Sequence, residues 1–340
     1  MPWYSGGVLI LPLLLLCAAP SATETAVSGH VDVRASYQRP AEVPTPDDNP
    51  YSPDKVALGQ LLFFDPILSG SRTRSCATCH NPGLSWGDGL PQAIGEAQRP
   101  LGLRAPTLIA AAFMPRLGWD GKFRDIEAVT YGPLLSPMNM NMSEPNVIER
   151  LSAIPGYSAG FQAAFGKPEI TRRHIELAVA AFQRTIDPGD TSFDRWIAGD
   201  EEAIDPAAKR GFTLFNGKAH CSQCHNGFAL SDGSFHDIGT ASGADIGRGR
   251  FFPTSVKLRY AFKTPTLRDV ARRAPYMHDG SVATLEAVID LYDRGGIDRA
   301  SRSPLIFPLG LSTAEKADLM AFLHTLNSRP QPYAVPVLPR

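Results

Sequence analysis

Cys76-Ala77-Thr78-Cys79-His80 and Cys221-Ser222-Gln223-Cys224-His225 are two copies of the pentapeptide Cys-x-x-Cys-His in one chain. In this pattern the two thiols bond covalently to the vinyl groups of a haem, and the histidine becomes an axial iron ligand. Redox dithiols and zinc sites also use Cys-x-x-Cys. Zinc leaves the histidine after each motif unexplained, and no βαβ pattern typical of a dithiol protein surrounds either copy. The motifs therefore predict two covalently bound c-type haems, with His80 and His225 as axial ligands.

Helical periodicity dominates the chain on both sides of these motifs. Helices are predicted from Ser52, over 143–153, over 171–186, at about 206–216, over 284–292 and from Ser312 to about 327. Strand patterns are almost absent, and 30 Gly and 30 Pro indicate many turns and long loops. We expect an all-α fold of two cytochrome c-like haem domains with long loops and little strand.

Composition divides the chain into five predicted segments. A polar, proline-rich stretch precedes the first helix, and Asp187-Pro188-Gly189-Asp190 interrupts the pattern between the two motifs. The predicted segments are a signal peptide (1–22), an N-terminal arm (23–50), a first haem domain (51–188), a second haem domain (189–330) and a C-terminal tail (331–340).

An apolar run begins at Val8 and is too short to span a bilayer. It suits the core of a cleavable signal peptide, although no Lys or Arg precedes it. Cleavage would remove Cys17, and the remaining cysteines would all belong to the haem motifs. We expect export to a bacterial periplasm. No other segment is long and apolar enough to cross a membrane, and a net charge of −1 argues against nucleic-acid binding.

Both halves resemble the bacterial di-haem cytochrome c peroxidase family, and within it the MauG branch. The resemblance covers roughly residues 50–328 and rests on the order of short motifs around the two haem sites. The matching stretches are Leu62–Pro66, Ser75–His80, Ala105–Thr107, Trp119–Gly121, Lys263–Arg268, Ala274–Gly280 and Ala321–Leu326. The family implies two unequal haems: one iron keeps an open position for hydrogen peroxide, and a protein ligand closes the other.

The resemblance also locates the peroxide side of the first haem. Ordinary peroxidases of the family cap the resting iron with a histidine where this chain has Glu96, so we expect an open first haem whether or not Glu96 approaches it. The family's proton-transferring glutamate falls at Asn139, which cannot accept a proton, and Pro133 matches a proline that shapes this pocket. Glu144 is a candidate substitute, or else an acidic residue that favours a helix N-terminus.

Tyr292 is the predicted sixth ligand of the second haem. It lies seven residues after Leu285, where ordinary peroxidases carry methionine and MauG-like proteins carry tyrosine. A phenolate would stabilise ferric iron and lower its reduction potential. Met277 is the alternative ligand, and a plain core role for Tyr292 also remains open. His278 resembles a family histidine near this haem, suited to contact a propionate or to carry protons.

Trp119 resembles the family tryptophan between the two haems, and an ordinary core position is its alternative. A second tryptophan, which MauG presents just before its second motif, is replaced by Ala219, with Trp196 as a distant candidate substitute. The family also holds calcium between the haems, at positions that read Arg104 and Arg273 here. Calcium prefers oxygen ligands, several of them anionic, so we expect it to be lost or weakly bound, with an arginine able to take its place.

The resemblance therefore implies a periplasmic di-haem oxidoreductase that uses hydrogen peroxide to form a high-valent di-haem state and oxidise a partner protein. Maturation of the tryptophan tryptophylquinone of methylamine dehydrogenase, in methylamine utilisation, is the corresponding MauG reaction. The first alternative is a peroxide-reducing di-haem cytochrome c peroxidase fed by a small cytochrome or cupredoxin. The second is a non-catalytic di-haem electron carrier. Tyr292 and Glu96 favour the MauG-like enzyme, whereas Asn139 and Ala219 leave room for the carrier.

Overall fold

The computed structural model describes residues 1–3, 6–7, 33–329 and 332–340. The expected signal peptide, apart from 1–3 and 6–7, and the first ten residues of the expected arm lie outside the described residues. Among the helices that are described, none combines the length and the apolar character needed to cross a membrane.

Helices supply nearly all of the regular structure in the described residues, as the periodicity predicts. The α-helices are α1 (Pro53–Phe64), α2 (Cys76–Cys79), α3 (Ile126–Leu135), α4 (Glu144–Ser152), α5 (Pro155–Phe165), α6 (Arg172–Arg184), α7 (Ser192–Ile197), α8 (Pro206–Asn216), α9 (Leu285–Arg294) and α10 (Thr313–Thr325). Two short strands, β1 (Phe235–His236) and β2 (Phe262–Lys263), pair antiparallel. The helical character of the fold is confirmed.

The helices that the sequence pattern identified begin and end within two or three residues of the predicted bounds. Ser52 caps α1 by accepting from the Lys55 amide, and Ser312 forms the expected capping box with Glu315 at α10. Helices α2, α3, α5 and α7 were not predicted. Pro133 stands inside α3 and Pro155 opens α5, where each proline looks like a break in the sequence, and α7 is too short for a periodic pattern.

The described residues form two hydrophobic cores. In the first, α1 packs against α5 and α6; in the second, α8 packs against α10. Each pair of helices crosses at a glycine. A Cβ on Gly59 would clash with the carbonyl oxygen of Ala178, and a Cβ on Gly211 with that of Asp318. The backbones approach this closely only because both positions lack a side chain.

Each core is completed by residues from the opposite end of the chain. Tyr37, in the expected N-terminal arm, is buried in the second core and donates a hydrogen bond to Asn216 Oδ1 at 2.9 Å. Tyr333, in the expected C-terminal tail, stacks on Phe64 of the first core. Residues 33–340 form one compact unit, and the boundary expected at residue 188 stays a prediction.

Candidate haem sites

The first motif forms the single turn α2, whose Cys76 side packs against the first core. His80 follows, with its Nδ1 3.3 Å from the carbonyl oxygen of Trp86. Because a carbonyl can only accept, Nδ1 carries the proton and Nε2 keeps a free lone pair. Burial lowers the pKa of His80, which favours the neutral imidazole that binds iron. The geometry suits an axial ligand.

The second motif repeats this arrangement. His225 Nδ1 lies 3.0 Å from the carbonyl oxygen of Leu230, and burial lowers its pKa to about 4. Leu230 and Trp86, the two residues that supply these carbonyls, both have a positive φ, 50° and 59°. In each half the chain therefore turns back just after the motif, and a backbone carbonyl of this turn accepts a hydrogen bond from the histidine of the motif.

A cavity that is open to solvent at its mouth adjoins the second motif, and its empty volume, with the open mouth included, is about 1550 Å³. Cys221, Cys224 and His225 line it together with apolar side chains of α8, α9 and α10. A largely apolar cavity with the two thiols and the imidazole in its wall fits covalent haem attachment.

Helix α9 turns one face to this cavity. Leu285, Val288, Ile289 and Tyr292 all line it, at the i, i+3, i+4, i+7 spacing of a single helical face. Burial raises the pKa of the Tyr292 phenol, and the nearby Cys224 and Cys221 make a smaller contribution in the same direction. The structure thus brings Tyr292 into the cavity that holds His225.

Met277 lines the same cavity from the loop before α9 and has a φ of +70°. Both candidate sixth ligands of the second haem are therefore present in its wall. The choice of Tyr292 over Met277 stays a prediction.

Three cationic side chains line the cavity: Arg104, which is buried, and Lys263 and Arg273, which are half-buried. Burial lowers the pKa of Lys263 to about 8 and that of Arg273 to about 10. The Nε atoms of Arg104 and Arg273 are buried without a hydrogen-bond partner among the described residues. Buried cations need counter-charges. The two propionates of a haem would supply them, so the polar part of the cavity also fits the cofactor.

Arg104 occupies the position where the family places a calcium ligand. Its Nη2 donates at 2.8 Å to the carbonyl oxygen of Arg273, which occupies the second of the two family calcium positions named above. Its backbone amide donates to the His278 carbonyl at 3.0 Å, and its carbonyl accepts from Trp119 Nε1 at 2.9 Å. A guanidinium therefore lies against the carbonyl that the resemblance assigns to calcium, and the same residue holds Trp119 in place.

His278 is almost fully buried in the cavity wall and stacks on Phe262, with ring centroids 3.7 Å apart. Its Nε2 lies 2.6 Å from Oδ2 of Asp245, whose side chain is 36% exposed. The sequence pointed to His278 but not to Asp245, which is 33 positions away. The pair connects the cavity wall to a carboxylate that solvent reaches, which suits proton transfer.

A second histidine–carboxylate pair also lay outside the prediction. His236 Nε2 is 2.8 Å from Asp232 Oδ2, and both lie beside Cys224. Asp232, with a smaller contribution from Cys224, raises the pKa of His236 to about 9. His236 also lines the haem cavity. Since the Cys224 sulfur is committed to haem attachment, the three residues belong to this haem site and form no separate metal centre.

The peroxide-side residues expected for the first haem lie on α3, on the turn that follows it and on α4. Pro133 is inside α3, Asn139 lies half-buried in the turn, and Glu144 begins α4. The carboxylate of Glu144 is 3.3 Å from Arg172 Nη1 and 39% exposed. Glu144 therefore supports the helix-end interpretation.

Glu96 lies next to this turn. Its backbone amide donates to the carbonyl oxygen of Met138 at 3.0 Å, one residue before Asn139, and its carboxylate accepts from the Ser71 hydroxyl at 3.3 Å. The loop of Glu96 and the turn of Asn139 are thus packed together, although the sequence separates them by more than forty residues.

Trp196 is buried in the second core, where its indole Nε1 donates to Glu201 Oε2 at 3.0 Å. Ala219 is buried, and the neighbouring exposed His220 contacts Phe307 edge-on. The structure therefore places Trp196 among core aromatics and not at the position of the missing tryptophan.

Comparisons with known proteins agree with this geometry. A family model described as di-haem cytochrome c peroxidase matches residues 53–202, and one described as cytochrome c matches residues 208–327. The chain is 49% identical over 324 residues to the methylamine utilization protein MauG of Methylorubrum extorquens, covering 94% of this chain and 92% of that protein. It is 31% identical over 338 residues to the cytochrome c551 peroxidase of Pseudomonas aeruginosa, with 96% and 94% covered.

Among solved structures, a MauG-like protein associated with microbial copper homeostasis matches with a TM-score of 0.79 and 32% identity. The match covers 86% of this chain and 94% of that one. The resemblance and the two cytochrome c-like haem halves expected from the motifs are confirmed.

Proposed function

This chain belongs to the bacterial di-haem cytochrome c peroxidase and MauG family, and from that membership we propose that it is a periplasmic enzyme that uses hydrogen peroxide to oxidise a partner protein. The protein is a MauG-like di-haem oxidoreductase with two c-type haems. The observation that carries the proposal is the meeting of Tyr292 and His225 in one cavity. A tyrosinate ligand distinguishes a haem built to hold oxidising equivalents from one built to relay electrons at high potential.

The reaction proceeds from an iron that peroxide can reach. A haem held at this site would supply the chemistry that cleaves the O–O bond of hydrogen peroxide and takes up its two oxidising equivalents. His80 would hold the iron from one side, and the carbonyl of Trp86 keeps the imidazole in the tautomer that binds it. The absence of histidine at position 96 leaves the other side without a strong ligand from that loop.

Peroxide also needs a group that takes a proton from one oxygen and returns it to the other. The amide of Asn139 cannot do this. Glu144 is held by Arg172 at the start of α4, whereas Glu96 lies in the loop packed against the Asn139 turn. These contacts support Glu96 as the proton-transferring group, with Asn139 as a hydrogen-bond partner of peroxide.

Between the two haem sites, Arg104 orients Trp119 through the carbonyl-to-indole hydrogen bond. An indole held in this way suits electron transfer between the two irons. At the second site burial raises the pKa of the Tyr292 phenol, so the phenol keeps its proton until a metal ion binds its oxygen. Coordination to ferric iron would displace that proton and leave the anionic ligand that lowers the reduction potential.

Methylamine utilisation is the proposed setting. Relatives at 49% and 39% identity carry the name methylamine utilization protein MauG. We accordingly propose that the partner is a methylamine dehydrogenase precursor and the product its tryptophan tryptophylquinone. Incubating the purified holoprotein and peroxide with that precursor should produce quinone absorbance. Rapid turnover of peroxide with a reduced small cytochrome, without quinone formation, would favour the cytochrome c peroxidase alternative.

Electron paramagnetic resonance tests the asymmetry of the haems directly. We expect one high-spin ferric haem, from the site of His80, and one low-spin ferric haem. Addition of one equivalent of peroxide should change the absorption spectrum within the mixing time. Two low-spin irons and no spectral response to peroxide would contradict the proposal and leave an electron carrier.

Calcium is proposed to be absent, with Arg104 supplying the positive charge between the haems. The contact of its guanidinium with the Arg273 carbonyl supports this arrangement. Metal analysis of the holoprotein should find iron and no stoichiometric calcium, and a chelator should leave the spectrum unchanged. One tightly held calcium per chain would contradict the replacement.

The periplasm remains the proposed location, supported by covalent haem attachment and by the apolar run from Val8. Cell fractionation should recover the haem-loaded chain with periplasmic marker proteins. Mass spectrometry of the mature N-terminus should find cleavage after Ala19 or Ala22. An intact N-terminus in the cytoplasmic fraction would contradict this part of the proposal.

A further inference from the structure

An exposed apolar cluster lies in the long loop between the second haem motif and β2. Phe251, Phe252 and Val256 are 44%, 44% and 60% exposed. Short turns keep them together, because the Phe252 amide donates to the Gly249 carbonyl and the Ser255 amide to the Phe252 carbonyl. Contiguous exposed apolar side chains rimmed by polar residues mark interaction sites, and phenylalanine is enriched in protein interfaces.

Basic side chains surround this cluster. Arg250, Lys257 and Arg259 are exposed, and no Asp or Glu occurs between Ile246 and Arg268. The whole chain has a net charge of only −1, so this is a local concentration of positive charge. Arg250 forms an ion pair with Asp120 at 3.3 Å. The Asp120 side chain is only 9% exposed, whereas that of Arg250 is 47% exposed, so the positive charge is the one that faces solvent.

The loop is attached to the segment that carries Trp119. Arg248 Nη1 donates to the carbonyl oxygens of Asp120 at 2.9 Å and Gly121 at 3.3 Å, while its guanidinium lies over Phe235. On the other side of the loop, the Lys263 amide donates to the Trp119 carbonyl at 2.7 Å. A protein bound to this loop would therefore lie close to Trp119, the tryptophan that the resemblance assigns to the space between the haems.

We propose that Arg250, Phe251, Phe252, Val256, Lys257 and Arg259 form the docking surface for the partner protein, here called the basic aromatic surface. Its occupant is an acidic protein that presents carboxylates around an apolar centre. The charge of the surface carries this choice, since complementary charges steer association and apolar contacts hold the complex. The inference rests on the proposed function, because it identifies the chemistry of that enzyme's partner.

A second copy of the chain fits this surface less well. A two-fold symmetric dimer would place the basic aromatic surface against itself, and the facing arginines and lysines would repel. Nucleic acid would be attracted by the charge, but the exposed phenylalanines and the near-neutral chain do not form the extended basic face that nucleic-acid binding requires.

The test uses the full-length holoprotein and two reduced probes, plastocyanin as an acidic cupredoxin and mitochondrial cytochrome c as a basic cytochrome. The test variant is K257E/R259E, and the matched control is R124E/K167E, which reverses two exposed charges elsewhere. Neither variant touches residues placed in the haem sites. The readouts are binding of plastocyanin by surface plasmon resonance and its peroxide-dependent oxidation, at low and high ionic strength.

We expect K257E/R259E to weaken plastocyanin binding by about tenfold at low ionic strength, and R124E/K167E to change it less than twofold. The difference should shrink at high ionic strength because the charges are screened. F251S/F252S should weaken binding at both ionic strengths. Equal losses in the two charge variants, or tighter binding of the basic cytochrome to the unchanged protein, would overturn the proposal.

Two further outcomes would also overturn it: a homodimer in gel filtration that F251S/F252S dissociates, or tighter binding of a single-stranded oligonucleotide than of plastocyanin. Failure of the proposed function is recognised separately. An unchanged protein that binds plastocyanin in this charge-dependent manner, yet shows no haem spectral change with peroxide, would keep the docking surface and reject the enzyme.

Discussion

Replacing the buried Arg268 by Met should be among the most destabilising single changes in the second half of the chain. The Arg268 side chain is fully buried, and Nη1 lies 2.7 Å from both carboxylate oxygens of Asp194 on α7. Its Nε donates to the Phe228 carbonyl at 2.9 Å. Arg268 therefore connects α7 to the segment between the second haem motif and Leu230, whose carbonyl orients His225.

The expected cost follows from what the substitution leaves behind. Removing one partner of a buried ion pair costs about 3–5 kcal/mol, because the remaining charge stays desolvated. Asp194 is 13% exposed and keeps a hydrogen bond with the Thr191 hydroxyl at 2.8 Å, and burial already lowers the pKa of Arg268 more than Asp194 restores it. These features point to the lower end, about 3 kcal/mol.

Urea denaturation of the holoprotein, followed by circular dichroism and by the haem spectrum, measures this cost. The control is R210M, because Arg210 forms a similar two-bond pair with Asp318 at 2.8 and 2.7 Å on an exposed surface. Exposed pairs contribute little, so R210M should barely move the denaturation midpoint. Equal midpoints for R268M and R210M would refute the reasoning, as would an R268M protein as stable as the unchanged one.

Three further predictions concern the haem surroundings. Tyr292→Phe should change the absorption spectrum of the second haem and raise its reduction potential, whereas Met277→Leu should leave both unchanged; the reverse result would assign the ligand to Met277. Glu96→Gln should slow the peroxide-induced spectral change by about 100-fold or more, whereas Glu144→Gln should have little effect, measured by stopped-flow absorption. His236 has a folded-state pKa raised to about 9, above its unfolded value of about 6.5, so it should contribute stability below pH 6.5 that is lost as the pH rises towards 9. His236→Gln should flatten that dependence in urea denaturation between pH 6 and 9, and an unchanged slope would contradict the assignment.

The candidate haem-binding residues could be identified from the sequence because their spacing is local. Cys-x-x-Cys-His places both thiols and the imidazole within five residues, and the i, i+7 spacing of Leu285 and Tyr292 places both side chains on one face of a single helix. The capping residues Ser52 and Ser312 also act within one turn. Such features depend on neighbours along the chain, which a sequence displays directly.

Pairings between distant segments could not be predicted in this way. Asp245 and His278 are 33 positions apart, and Arg104 reaches the carbonyl of Arg273 across 169 positions. Nothing in the local pattern of either member signals the other. Asp232 and His236 are only four residues apart, but their significance comes from lying in the wall of a cavity that many segments of the second half build together.

Helices interrupted or opened by proline were the main omission in the fold. Pro133 lies eight residues into α3, where the helix ends two residues later at Leu135. A proline near the C-terminal end of a helix removes only one hydrogen bond, and burial of Tyr131 and Leu134 offsets that loss. Tertiary packing thus overrides a local signal that on its own argues against a helix.

Because each core contains residues from the other half of the chain, neither core can be completed early while the chain is being synthesised. The first core is assembled from early residues, yet Tyr333 covers Phe64 and Trp86 within it, and Pro339 packs against Gly156. That core therefore stays incomplete until residues 333–339 have left the ribosome. Conversely, the second core contains Tyr37, which is synthesised before the rest of that core. We expect a gene fragment that encodes 51–188 alone or 189–330 alone to yield insoluble protein. Two co-expressed fragments that also retain residues 33–50 and 331–340 should associate into soluble protein, because both cores are then complete.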